Sequence, residues 1–202
     1  IYNYQTLREE LIAAGHTFTT KSDTEVLLHG YEQWGVDLLQ RVRGMFTFVI
    51  WDKNKQELFG ARDHFGIKPF YYAKMNGTFM YASEIKSLLR HPDFVKELNA
   101  EALKPYMTFQ YPAIGETFFK GVYKLPEGHY FTYRDGKMDI HRYYDEDFRE
   151  GKQKLGELVN SIDQTVCDSV KAHQIADVEV GSFLSSGVDS SYVAAVARPQ
   201  HT

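Results

Sequence analysis

The chain has 202 residues, with 23 Lys and Arg against 27 Asp and Glu for a net charge of -4, and is 43% hydrophobic and 15% aromatic. That is enough for one complete domain plus part of another, and the composition excludes a disordered or fibrous chain. The mildly acidic balance, with no basic stretch interleaved with aromatics, argues against a nucleic-acid partner, and the single cysteine, Cys167, excludes a disulfide framework and fits a reducing, cytoplasmic compartment.

The chain opens Ile1-Tyr2-Asn3 without a Met or a signal-like segment and stops at Thr202 shortly after a helical pattern, so both ends read as cuts; no apolar run is long enough to span a bilayer. Asn3 is placed to cap a helix over residues 4–14 with Leu7 and Leu11 on one face, and Gly15 stands where a left-handed helix end is expected. Ser22 and Glu25 have capping-box spacing for a second helix, whose stripe of Leu27, Tyr31 and Trp34 runs to Gly35.

From Met45 the period changes to that of strands. Residues 45–51 and 57–62 predict a hairpin turning through residues 52–56. Residues 70–74 and 78–82 predict another at Asn76-Gly77, and residues 130–133 and 138–143 a third at Asp135-Gly136, both dipeptides suited to positive φ. Residues 84–90 and 100–107 read as short helices. Antiparallel strands with a few helices packed on them predict an α+β layered domain over residues 1–145. A charged linker follows over residues 146–154, and a second unit begins at residue 155 and runs to 202. In it Leu155, Leu158, Ile162, Val166 and Val170 trace an amphipathic helix, residues 178–184 read as a short buried parallel strand, and residues 190–198 as a helix.

Between that strand and helix lies Ser185-Ser186-Gly187-Val188-Asp189-Ser190. Small polar residues where a strand gives way to a helix N-terminus bring free N–H groups and the helix dipole onto one point, which suits a phosphate. Ser185 and Ser190 would add hydroxyl donors, and Asp189 could hold a Mg²⁺ bridging the phosphates. The loop lacks the Gly-Lys-Ser/Thr ending of a Walker loop, and the plain alternative is a serine-rich turn with a capping aspartate. It resembles the pyrophosphate loop of the ATP pyrophosphatase family, usually Ser-Gly-Gly-x-Asp-Ser, with Ser186 in place of the first Gly. That resemblance implies ATP as substrate, with Phe183 and Leu184 against the adenine.

Ile1-Tyr2-Asn3, Ser22-Asp23-Thr24-Glu25 and Arg62-Asp63-His64-Phe65-Gly66-Ile67-Lys68-Pro69 resemble segments of the glutaminase domain of class II glutamine amidotransferases. Tyr81-Ala82-Ser83-Glu84-Ile85-Lys86 and Gly121-Val122-Tyr123-Lys124-Leu125-Pro126-Glu127-Gly128-His129 are similar to segments marking the asparagine synthetase branch. The resemblance implies the αββα sandwich of the N-terminal-nucleophile hydrolase fold, followed by the start of an α/β synthetase domain of the ATP-pyrophosphatase type. It also implies an N-terminal cysteine nucleophile and oxyanion-stabilising groups upstream of this chain, so no catalytic residue is expected within it.

Cys167, inside a helix, is read as a small core residue. Asp23 is the expected glutamine-site residue, its counterparts pairing with the substrate α-ammonium; Asn3 is expected only to cap, and Arg62, Asp63 and Lys68 to fix a turn by ion pairing. The expected chemistry is ATP-dependent amidation of aspartate with glutamine-derived ammonia, the chain alone being inactive. A related two-domain enzyme with another acceptor, or an inert fragment, is the alternative. Expected partners are glutamine, aspartate and ATP with Mg²⁺, and a homodimer is the assembly considered.

Overall fold

The structure, a computed structural model, describes residues 1–111 and 114–199. Packing divides it into two units, the first made of Leu27–Glu146 with Ile1, the second of Tyr2–Val26 with the residues from Asp147 onward.

In the first unit a 3-10 helix, Gly35–Gln40, leads to β1 (Thr47–Asp52) and β2 (Glu57–Arg62), then β3 (Tyr71–Met75) and β4 (Thr78–Ala82). The short helix α3 (Ile85–Leu88), a 3-10 turn (Ala100–Ala102) and α4 (Leu103–Phe109) follow, and β5 (Val122–Lys124), β6 (His129–Arg134) and β7 (Lys137–Arg142) complete it. The strands form two antiparallel sheets, one ordered β1-β2-β6-β7 and the other β4-β3-β5. Both tight turns have the backbone their residues favour: Asn76 and Gly77 lie at φ 50° and 82°, Asp135 and Gly136 at 50° and 76°.

Strand alternation assigns the layers. Phe70, Leu125 and Phe131 fill the space between the sheets with Val49, Leu58, Tyr72, Phe79, Tyr133 and Met138, and the Phe79 and Tyr133 rings stack at 4.2 Å. Within the four-stranded sheet the Phe131 ring lies over its cross-strand partner Gly60, where a Cβ would fall 2.3 Å from the ring. On the far side of the three-stranded sheet, Ala73, Met80 and Val122 pack with Leu88 and Ile85 of α3. On the far side of the four-stranded sheet, the Tyr31 ring, from the helix spanning Asp23–Trp34, stacks on Phe59 at 4.9 Å. Helix, sheet, sheet and helix form the expected αββα sandwich. Strand β5 was not anticipated, because three residues are too few to display an alternating pattern.

The second unit holds α1 (Tyr4–Ala13), the first turn of α2 (Asp23–Trp34), α5 (Leu155–His173) and α6 (Val188–Ala197). Gly15 closes α1 at φ 99° as expected. Asn3 holds the cap position of α1, but its side chain makes no capping bond; its carbonyl accepts from Leu7 N at 3.1 Å. In α5 and α6, the Tyr192 hydroxyl donates to Asp163, and Gln174 Nε2 donates to the Ala197 carbonyl at 2.6 Å. Cys167 is half-buried within α5. The expected parallel strand over residues 178–184 is reduced to a single β-bridge position at Gly181, and Val178 and Phe183 are 77% and 101% exposed. A parallel strand takes its hydrogen bonds from neighbouring strands, and this unit contains none among the described residues. No helix of the described residues is long and apolar enough to cross a membrane.

Candidate functional site

Asp23 begins α2 and is partly exposed, with Glu25 in the same first turn. The capping box expected from Ser22 and Glu25 is only half made. Ser22 Oγ accepts from Thr24 N at 3.1 Å, but Glu25 does not return to the Ser22 amide, which donates instead to Thr20 Oγ1 at 3.2 Å. Glu25 reaches further back. Its Oε1 accepts from Thr19 N at 2.8 Å and Thr19 Oγ1 at 2.9 Å, and its Oε2 from Thr20 N at 2.6 Å and the Thr20 hydroxyl.

Four donors converging on one carboxylate, the Thr19 backbone N–H foremost, hold the Glu25 pKa down at about 2. Arg8 adds a bond to the Thr20 carbonyl while its guanidinium lies 4.6 Å over the Phe18 ring. The loop leading to Asp23 is therefore tied at both threonines. Capping-box spacing found Glu25 but assigned it the wrong partners, because a sequence offers no sign of how far a loop folds back.

The second constellation is the turn after β2. Arg62 and Asp63 are 2% and 1% exposed, yet they do not pair with one another as expected. Arg62 Nε donates to the Lys68 carbonyl at 2.8 Å, Nη1 to that of Leu125 at 2.6 Å, and Nη2 to that of Gly66. Asp63 accepts from the Ile67 and Lys68 amides, both at 2.9 Å, and from Phe65 N at 3.3 Å.

Burial pushes the Arg62 pKa below its ordinary value, and the carbonyls partly offset the lost hydration. The Tyr143 hydroxyl donates to the Arg62 carbonyl at 2.8 Å, and burial pushes that phenol up. The His64 ring meets Tyr144 edge-on at 4.5 Å, and burial pushes its pKa down. Lys68 contributes its backbone and is itself exposed. Every buried polar group here is committed to backbone, so the turn is a scaffold and leaves little to hold a substrate.

The third constellation is the loop before α6. Ser186 lies at φ 63°, in the left-handed region, where the family pattern has Gly. Ser185 Oγ and Ser190 Oγ are 3.0 Å apart, and Ser190 Oγ donates to the Gly187 carbonyl at 3.1 Å. Asp189 lies exposed in the first turn of α6 and Val188 begins the helix. Small side chains, a helix start and an open carboxylate suit a phosphate with its cation. Leu184 and the fully exposed Phe183 precede the loop.

The family model for the glutamine amidotransferase domain matches residues 1–144. The chain belongs to that family. In this amidotransferase chain the asparagine synthase family model matches residues 161–202. The chain is 45% identical over 202 residues to glutamine-hydrolysing asparagine synthetase 1 of Bacillus subtilis, covering 100% of this chain and 32% of that protein. It is 36% identical over 200 residues to glutamine-hydrolysing asparagine synthetase 3 of the same organism, covering 98% and 32%. It thus spans about a third of the length of the curated relatives it matches. Among solved structures, the allosteric regulatory enzyme of purine biosynthesis aligns at TM-score 0.50 and 16% identity over 100% of this amidotransferase chain and 42% of that one, a likeness of fold.

Proposed function

We propose that this amidotransferase chain serves a glutamine-dependent asparagine synthetase. Ammonia is released from glutamine at the sandwich domain and transferred to aspartate activated as an acyl-adenylate, yielding asparagine, AMP and pyrophosphate. The observation that carries this reading is the pairing, on one chain, of the amidotransferase match over residues 1–144 with a phosphate-compatible loop at the start of α6 inside the asparagine synthase match.

Domain limits of 1–145 and 155–202, with a linker between, follow from this reading. Asp23 would pair with the glutamine α-ammonium, its charge favoured by the helix dipole. Backbone N–H groups and the hydroxyls of Ser185 and Ser190 would hold pyrophosphate oxygens, with Ser186, Gly187 and Val188 letting the backbone approach. Phe183 and Leu184 would lie against the adenine, and the exposed Asp189 carboxylate would hold Mg²⁺, which neutralises phosphate charge when bound. The reading places the enzyme in the cytoplasm, and a homodimer is its candidate assembly.

The test is an assay of the protein expressed at the full length of its coding sequence, supplied with glutamine, aspartate and ATP. Glutamate release matched by asparagine and AMP is expected. Asp23→Ala should raise the KM for glutamine while synthesis from added ammonia persists, and Asp189→Ala should stop AMP formation. Glutamate without asparagine would move the acceptor to another carboxylate, and no glutamate at all would remove the amidotransferase activity from this protein.

A further inference from the structure

The loop over residues 19–22 delivers the chain to Asp23, and nothing in its own composition makes it rigid: Thr19, Thr20, Lys21 and Ser22 are all side chains at home in mobile loops. Its order comes from a chain of bonds anchored on one carboxylate. Each oxygen of Glu25 takes the amide and the hydroxyl of one threonine, Oε1 from Thr19 and Oε2 from Thr20. Thr20 Oγ1 then accepts from the Ser22 amide at 3.2 Å, and Ser22 Oγ from the Thr24 amide at 3.1 Å.

The network passes from Glu25 to Thr20, to Ser22 and to Thr24, and so encloses Asp23 on both sides. Asp23 occupies the first position of α2 and takes no part in these four carboxylate bonds.

We propose that Glu25 is a positioning residue for glutamine, holding the loop over residues 19–22 so that the Asp23 carboxylate is preorganised for the substrate α-ammonium. This rests on the reading of Asp23 given above. Preorganisation of this kind acts on substrate capture. Because Glu25 holds its proton only near pH 2, the clamp is ionised throughout the working range. A neutral amide replaces it poorly: turning either carboxylate oxygen into an NH₂ group sets donor against a threonine backbone N–H, and only the hydroxyl can turn to accept.

The experiment compares wild type, Glu25→Gln and Glu25→Ala in the full-length protein, with synthesis from glutamine and from added ammonia measured side by side. Both variants should raise the KM for glutamine about tenfold, keep kcat within about twofold, and leave ammonia-driven synthesis unchanged. Equal loss of glutamine-driven and ammonia-driven synthesis would reduce Glu25 to a stability residue and overturn the proposal. So would an unchanged KM for glutamine in both variants when Asp23→Ala raises it, with the glutamine-site reading left intact. An unchanged KM in Asp23→Ala would instead remove that reading, and the proposal with it.

Discussion

Arg62 brings a charge into the interior and meets it with three backbone carbonyls, from Lys68, Leu125 and Gly66. Arg62→Met would leave those carbonyls without donors, and each orphaned group costs about 1–3 kcal/mol, so a loss of about 3 kcal/mol or more is expected in a denaturant titration. Gly66, at φ 62°, admits no Cβ, which would stand 2.7 Å from Arg62 Nη2. Gly66→Ala is expected to cost about 2 kcal/mol. The Arg62→Met/Gly66→Ala double variant should lose less than the sum, because the first change removes the atom against which the second collides.

Glu25 yields a pH prediction. Its pKa in the folded chain, about 2, lies below its ordinary 4.5, so its stabilising contribution is complete above pH 4.5 and is lost as the pH falls toward 2. Wild type should therefore lose stability in that window more steeply than Glu25→Gln, as read by circular dichroism across an acid series. The sequence marked Arg62, Asp63, Asp23 and Glu25 as residues of consequence. It could not say what Arg62 bonds, because the Leu125 carbonyl is 63 residues away along the chain and arrives only when the sheets pack.

Among the elements, those whose conformation is encoded locally matched their expectation closely. Asn76-Gly77 and Asp135-Gly136 carry positive φ cheaply, so both hairpins form with the register that their dipeptides favour. Gly35 likewise ends α2 at Trp34. The loop before α6 is the local exception, since Ser186 takes a left-handed φ of 63° that disfavours any side chain. Ser186→Gly should be close to neutral, the strain relieved offsetting the extra chain entropy of glycine. Ser186→Val should cost about 1–2 kcal/mol. Hydrogen exchange of the α6 amides, which follow this loop directly, would read both.

At the scale of the whole molecule, the αββα sandwich buries Phe70, Leu125 and Phe131 between its sheets, whereas α5 of the second unit buries no residue completely. Leu155, Leu158, Val159 and Ile162 of α5 are all exposed, an apolar stripe of the kind that promotes association. The chain of residues 1–202 should therefore self-associate and bind a hydrophobic dye, and a Leu158→Lys/Ile162→Lys variant should do both less, as measured by light scattering and dye fluorescence. The amphipathic period of α5, the hairpins and the α+β layering were determined by sequence, because helical and strand periods and turn dipeptides act over a few residues, and the amidotransferase family was legible through the segments that resemble it. Tertiary structure alone decided that Val122–Lys124 is a strand, that residues 178–184 are not, that Arg62 fixes its turn through backbone carbonyls instead of an ion pair, and that Glu25 bonds threonines in place of the Ser22 amide. A strand exists only through its neighbours and a buried charge only through the groups that replace its water, and both kinds of partner are set by packing rather than by adjacency in the chain.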